Sequence, residues 1–258
     1  MSRTGLFDSH AHMDSDYFTD DRDALLTQLQ EELDGIINPG CDEITSGFAV
    51  SLAEKYDFMY AAVGWHPEDL EGILDNSYLD ELAAWAVHPK VVAIGEIGLD
   101  YYWKGNEPKD VQKRRLLEQL DLAKQFDLPV IIHDRDAHGD ILEIFQKEVT
   151  GVRAVFHCYS GSVEMARELL RRGWYLGFDG PITYKNAAKA PEVIAACPVE
   201  RILLETDSPY LAPVPNRGKR NDSRNLPFIA ARVAQIKGMM IDQVAEVTLQ
   251  NGKKLFDL

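Results

Sequence analysis

Eight short apolar runs alternate with longer amphipathic segments along this chain, and that alternation constrains the fold more than any other feature. The runs are GLFD (5–8), GIINPG (35–40), FMYAAVGW (58–65), VVAIGEIG (91–98), PVIIH (129–133), RAVFH (153–157), WYLGFDG (174–180) and RILLETD (201–207). Each has the length of a strand, and most are continuously apolar rather than alternating. Strands that read this way are parallel and covered on both faces. The segments between them carry helical spacing. Leu25, Leu29 and Leu33 line up in 20–33, Leu116, Leu120 and Ala123 in 110–126, and Val163, Ala166 and Leu170 in 162–173, which stops at Gly173. Eight strand–helix repeats in 258 residues predict an α/β fold, a (β/α)8 TIM barrel in a single domain spanning 1–258. An open doubly wound sheet is the rival, but it typically uses fewer strands. The polar stretch PVPNRGKRNDSRN (213–225) reads as a loop of the same domain after the eighth strand.

Reactive residue types fall on this frame in a pattern. Of seven histidines, His10 and His12 (strand one), His66 (three), His133 (five) and His157 (six) sit at or just past strand ends. Glu96 ends the fourth run and Asp207 the eighth. In a barrel the C-terminal strand ends converge on one face, where active sites form. Side chains at i and i+2 of a strand point the same way, so His10 and His12 can reach one ion together. A lone H-x-H is a weak motif. With Glu96, His133, His157 and Asp207 it gives six nitrogen and oxygen donors, more than one tetrahedral ion uses. Two divalent ions about 3.5–4 Å apart would use them, with Glu96 as the bridge. No thiolate stands at these positions, which argues against soft-metal and iron–sulfur chemistry. Cys158 should face away from the site as a small buried hydrophobe.

Other residues carry two readings each. His66, in GWHP, is a ligand, a substrate contact or a capping residue, with a substrate or orienting role favoured. Arg135 shares the face of His133 and would bind an anion, or form a surface ion pair. Glu205 would orient ligands, or belong to a charge pair in the barrel core. Arg217, Lys219 and Arg220 form the densest basic cluster, suited to gripping phosphates, though such runs are commonly solvated. His88 is expected at a helix end and His138 on the surface. Asp8, two residues before His10, is expected on the same face as a carboxylate that supports the ligands without joining them.

Composition limits partners. With 27 basic and 42 acidic residues the net charge is −15, so nucleic acid and anionic membranes would not bind through the overall field. A polyanionic substrate would need metals or a local basic cluster. Three widely spaced cysteines make no disulfide framework, and no run approaches the roughly 20 apolar residues of a membrane span. MSRTGLFD lacks the apolar segment of a leader. A soluble cytoplasmic protein, with no membrane contact and no obligate protein partner, is expected.

Taken in order, SHAHMD, GWHP, GEIGLDY, IIHDRDA, FHCYSG, ETDSPYL and RGKRN resemble the motifs of the TatD family of metal-dependent deoxyribonucleases, which belong to the amidohydrolase-like TIM barrels. The resemblance runs along essentially the whole chain. It implies a divalent-metal site on His10, His12, Glu96, His133, His157 and Asp207, the same six that strand-end position selects. It also implies hydrolysis of DNA phosphodiesters, in single strands or from 3′ ends, with two ions (Zn²⁺, Mg²⁺ or Mn²⁺). Asp207 and Glu96 would then be catalytic, and His66, Arg135, Arg217, Lys219 and Arg220 would contact substrate. Two departures stand out. RGKRN is followed by Asp222 and Ser223 rather than Glu-Pro, and the aromatic after HC is Tyr159 rather than the common Phe. Related barrels that open cyclic amides often bridge their metals with a carboxylated lysine after strand four. Here the first lysine there, Lys104, comes too late. Another ester, such as that of an aminoacyl-tRNA, is the remaining alternative.

Overall fold

A computed structural model describes residues 5–73, 75–147 and 149–258; MSRT, part of the stretch read for a leader, lies outside them. The strands are β1 (Phe7–Asp8), β2 (Gly35–Pro39), β3 (Met59–Val63), β4 (Val91–Asp100), β5 (Val130–Arg135), β6 (Ala154–Phe156), β7 (Tyr175–Phe178) and β8 (Ile202–Leu204). Every neighbour pairs parallel, in chain order from β1 to β8. The helices are α1 (Arg22–Glu32), α2 (Glu43–Lys55), α3 (Ser77–Ala86), α4 (Lys109–Phe126), α5 (His138–Lys147), α6 (Val163–Arg171), α7 (Ala190–Ala196), α8 (Leu226–Lys237) and α9 (Ile241–Phe256). This is a nearly closed (β/α)8 barrel.

The seam between β8 and β1 lies beyond the ends of both strands. Ser9 N donates to Leu204 O (3.0 Å), Asp207 N to His10 O (2.9 Å) and His12 N to Ser208 O (2.8 Å). The buried Asp8 carboxylate strengthens it, accepting from Thr206 N (3.0 Å) and Thr206 Oγ1 (2.6 Å). Burial pushes that carboxyl up to about 7, against the pull of these hydrogen bonds.

Two apolar layers hold the barrel. The outer one fills the space between strands and helices, where α1 buries Leu25 and Leu29, with Leu33 just past its end. Each such leucine contributes about 1.5–3 kcal/mol by leaving water. The inner layer takes a side chain from each strand: Phe7, Ile37, Ala62, Ala93, Ile131, Val155, Tyr175 and Leu203. Leu249, Leu255 and Phe256 of α9 pack against it, and the Phe7 and Phe256 rings stand 6.5 Å apart. The inner residues two positions further along the strands include His133, His157 and Glu205, so the functional groups sit directly on this apolar floor. One helical face is rotated from expectation. α6 buries Met165, Ala166 and Leu169, while Val163 and Leu170 are only partly covered. No described helix is long and apolar enough to cross a membrane.

Candidate metal centre

Glu96 sits near the middle of β4, not at its end. Two steps of β5 (Val130 to Ile132) pair with three of β4 (Ile94 to Ile97), so β4 carries one extra residue there. Ile94 and Ile97 both pack in the outer layer. Strict alternation from Ile94 would turn Glu96 outward as well; the extra residue turns it into the barrel mouth. Residue 95 must be glycine, because a Cβ there would lie 2.7 Å from Ile131 Cβ.

The four imidazoles of the expected ligand set converge on the Glu96 carboxylate. Oε1 lies 2.9 Å from His133 Nδ1 and 2.9 Å from His157 Nε2. Oε2 lies 3.2 Å from His10 Nε2 and 3.8 Å from His12 Nε2. Asp207 Oδ1 faces the same two nitrogens, at 3.7 Å from His10 and 3.5 Å from His12. His10 stacks on His157 with ring centroids 3.9 Å apart. All six residues of the expected ligand set are thus brought together, and two triads, His10–His12–Glu96 and Glu96–His133–His157, share one carboxylate.

Charge is heavily perturbed here. Burial alone would raise Glu96, but His157, His10 and His66 outweigh it and hold the carboxyl well below the usual range. Asp207 is lowered too, its burial overcome by His12, His157 and His10. Burial works against a charge on His12 and His133, yet the neighbouring carboxylates carry both up to about 9. His10, buried against His157, is pushed down. Five histidines crowded into one mouth cannot all be cations. His10 and His12 direct Nε2 at each other across 3.1 Å, and the buried Nδ1 atoms of His10 and His157 have no hydrogen-bond partner. Neutral imidazoles presenting lone pairs to divalent cations, with Glu96 and Asp207 supplying negative charge, satisfy this donor set. The residues present therefore fit a metal site.

Supporting groups follow. Glu205 is buried, accepts the Cys158 amide (2.5 Å) and the Ser9 hydroxyl (3.3 Å), and sits 3.6 Å from His157 Nδ1. That last distance allows charge attraction but not a hydrogen bond. Asp100 was not singled out in the sequence. Its Oδ2 lies 3.0 Å from His133 Nε2, and its Oδ1 accepts the amides of Tyr102 (2.9 Å) and Trp103 (3.3 Å). Glu96 and Asp100 are an even number of residues apart on one strand, so alternation sets both on the same side of it. Asp207 (φ 54°) and Cys158 (φ 43°) both hold left-handed backbone beside the cluster. Strained positions of this kind gather at functional sites.

His66 has its role narrowed by its tautomer. Its Nδ1 accepts the Glu68 amide (3.2 Å), so the hydrogen bonding assigns the ring proton to Nε2, 3.6 Å from Glu96 Oε1. Burial, with His133 beside it, brings the ring down to about 4. It is a neutral N–H donor aimed into the mouth. Arg135 stacks over Tyr102 (3.9 Å) and Trp103 (5.4 Å). Arg217 stacks over Tyr184 (4.2 Å), and Lys219 is exposed. Arg220 differs from expectation. Its guanidinium holds both Asp21 oxygens (2.7 Å each) and Tyr17 O (2.9 Å), which commits it to a loop clamp rather than to a phosphate.

Three further expectations shift. Asp8 turns away from the cluster to Thr206, because the chain between Ser9 and His10 leaves regular strand alternation. His88 lies two residues past the end of α3, beside its Val87 cap, as expected, whereas His138 is half-buried and 2.8 Å from Asp134. Cys158 is half-buried, with its thiol pushed up by burial.

A parallel barrel with a histidine–carboxylate cluster at its mouth is the build of a metal-binding barrel enzyme. The family model described as TatD related DNase matches residues 7–257. An uncharacterized metal-dependent hydrolase of Bacillus subtilis, YabD, is 42% identical over 255 residues, 97% of this chain and 98% of its own. The 3′-5′ ssDNA/RNA exonuclease TatD of Citrobacter koseri is 33% identical over 260 residues, covering 98% and 99%. The crystal structure of YjjV, a TatD homolog from Escherichia coli, superposes with a TM-score of 0.89 at 32% identity over 99% of both chains. The chain belongs to the TatD family and is a metal-dependent hydrolase.

Proposed function

We propose that the protein cleaves phosphodiester bonds of DNA, acting on single strands or 3′ ends, with two divalent ions at the cluster. The observation that carries this reading is the pair of ligand triads sharing Glu96. His10 and His12, with Asp207, would hold one ion; His133 and His157 would hold the other; Glu96 would serve both. Mn²⁺, Mg²⁺ and Zn²⁺ all suit nitrogen and oxygen donors. When bound, such ions supply Lewis-acid polarisation of the phosphoryl group and a more acidic water at neutral pH. Asp207, kept ionised, accepts the proton of the attacking water. His66 donates Nε2–H to a phosphoryl or leaving-group oxygen. Arg135, Arg217 and Lys219 hold neighbouring phosphates and offset the −15 charge locally. The relative from Citrobacter koseri supports the direction and the choice of strand. Three unpaired cysteines favour a reducing compartment, the cytoplasm.

The test is cleavage of end-labelled single- and double-stranded DNA across Mg²⁺, Mn²⁺ and Zn²⁺, with RNA alongside. Glu96→Ala and Asp207→Ala should abolish it. Undiminished cleavage by either variant would overturn the scheme.

A further inference from the structure

Beside Asp207 lies a groove of about 500 Å³, within the range of small-ligand sites. Tyr17, Tyr184 and Tyr210 line it together with Arg217, Lys219 and Arg220, and none of its lining residues is acidic. In a chain of net charge −15 that is a local reversal of sign. Asp21 neutralises Arg220, which leaves Arg217 and Lys219 as the cations open to a ligand.

The aromatic residues are exposed yet fixed. Tyr17 is 65% and Tyr210 53% accessible, large apolar faces that cost free energy to leave in water. Neither is on a loose loop. Tyr210 N donates to Asp207 O (2.9 Å), and Asn221 Nδ2 donates to Tyr210 O (2.7 Å). Arg220 holds Tyr17 O while gripping Asp21. The rings make a staircase out of the metal centre: His12 to Tyr210 is 6.4 Å between centroids, and Tyr210 to Tyr17 is 6.2 Å.

We propose that this groove is a base-stacking subsite for single-stranded nucleic acid, with Tyr210 and Tyr17 as platforms and Arg217 and Lys219 as phosphate grips. The subsite deepens the nuclease reading and rests on it. Aromatic platforms with interleaved cations bind unpaired bases, whose faces are free; a duplex keeps those faces stacked inside. Because Tyr210 is tied to the Asp207 segment, the base it stacks belongs to a nucleotide next to the cleaved bond.

Binding and cleavage separate the two ideas. Fluorescence anisotropy would measure a labelled phosphorothioate oligothymidylate, which resists hydrolysis, against the metal-loaded enzyme. Tyr210→Ala should weaken binding about 5- to 100-fold, while Tyr210→Phe stays within about twofold of wild type. With abasic sites in place of the bases, wild type and Tyr210→Ala should bind alike. Equal affinity of wild type and Tyr210→Ala on the intact oligonucleotide would overturn the subsite, as would an equal loss on the abasic one. Cleavage of the unmodified oligonucleotide reads the other proposal. Tyr210-dependent binding without cleavage keeps the subsite and removes the nuclease; cleavage with Tyr210-independent binding does the reverse.

Discussion

Gly177→Ala tests how tightly the buried support of the metal centre is built. Gly177 lies on β7 inside the barrel, directly against Glu205. A Cβ at residue 177 would stand 2.4 Å from Glu205 Oε2 and 2.6 Å from its Cδ, whereas ordinary contact begins at 3.4 Å. The carboxylate must retreat by about 1 Å, but it is buried and anchored by the Cys158 amide and the Ser9 hydroxyl. Overpacking of this kind costs about 1–3 kcal/mol. Displacing Glu205 also removes the negative charge 3.6 Å from His157 Nδ1. Losing a group that orients a ligand typically weakens metal affinity about 10–100-fold. The assay is metal titration by calorimetry, with thermal unfolding in parallel. A Gly177→Ala protein of wild-type metal affinity and unchanged Tm would refute the reasoning. Glu205→Gln, which keeps the shape and removes the charge, should lose affinity without the overpacking penalty.

Asp100→Asn should lower metal affinity about tenfold or more through His133, and it should loosen the Tyr102–Trp103 turn; a titration matching wild type would count against that role. His12 and His133 sit near 9 in the metal-free protein, above the 6.5 of a free imidazole. Their stabilising contribution is therefore complete below pH 6.5 and lost as pH rises through about 9, and metal uptake should release protons in that window. Thermal unfolding of stripped protein across that pH range, with proton release compared in two buffers, checks both; a flat Tm would sink the claim. Arg220→Ala should raise KM for single strands more than it lowers kcat, because it frees the Tyr17 loop. Leu29→Ala, in the outer layer, should cost about 2–5 kcal/mol by denaturant unfolding while leaving the centre intact.

The barrel is legible because burial on both faces leaves continuous apolar runs too short for helices, alternating with longer amphipathic segments. The six candidate ligands were legible because parallel strands bring their C-terminal ends to one face. What escaped depended on local departures from regularity or on distant partners. Glu96 reads as a strand end, whereas β4 runs four residues further, to Asp100. Asp8 was assigned the face of its neighbours by simple alternation, which the chain abandons at Ser9. Arg220 read as a phosphate contact because Asp21, its partner, is 199 residues away in sequence. Tyr17 and Tyr210 are ordinary tyrosines until the closing of β8 onto β1 sets their rings side by side.

The extra residue in β4 makes the centre depend on parity as much as on chemistry. Smooth that extra residue into regular pairing without changing the sequence, and every metal-binding side chain is still present. The carboxylate that four histidines share would then point at the helices, and an isoleucine would take its place in the mouth. Deleting Gly95, the one residue between Ile94 and Glu96, would return the carboxylate to the mouth of a regular strand. Holding the full set of ligands is therefore not sufficient for this centre; the register of β4 against β5 must hold as well.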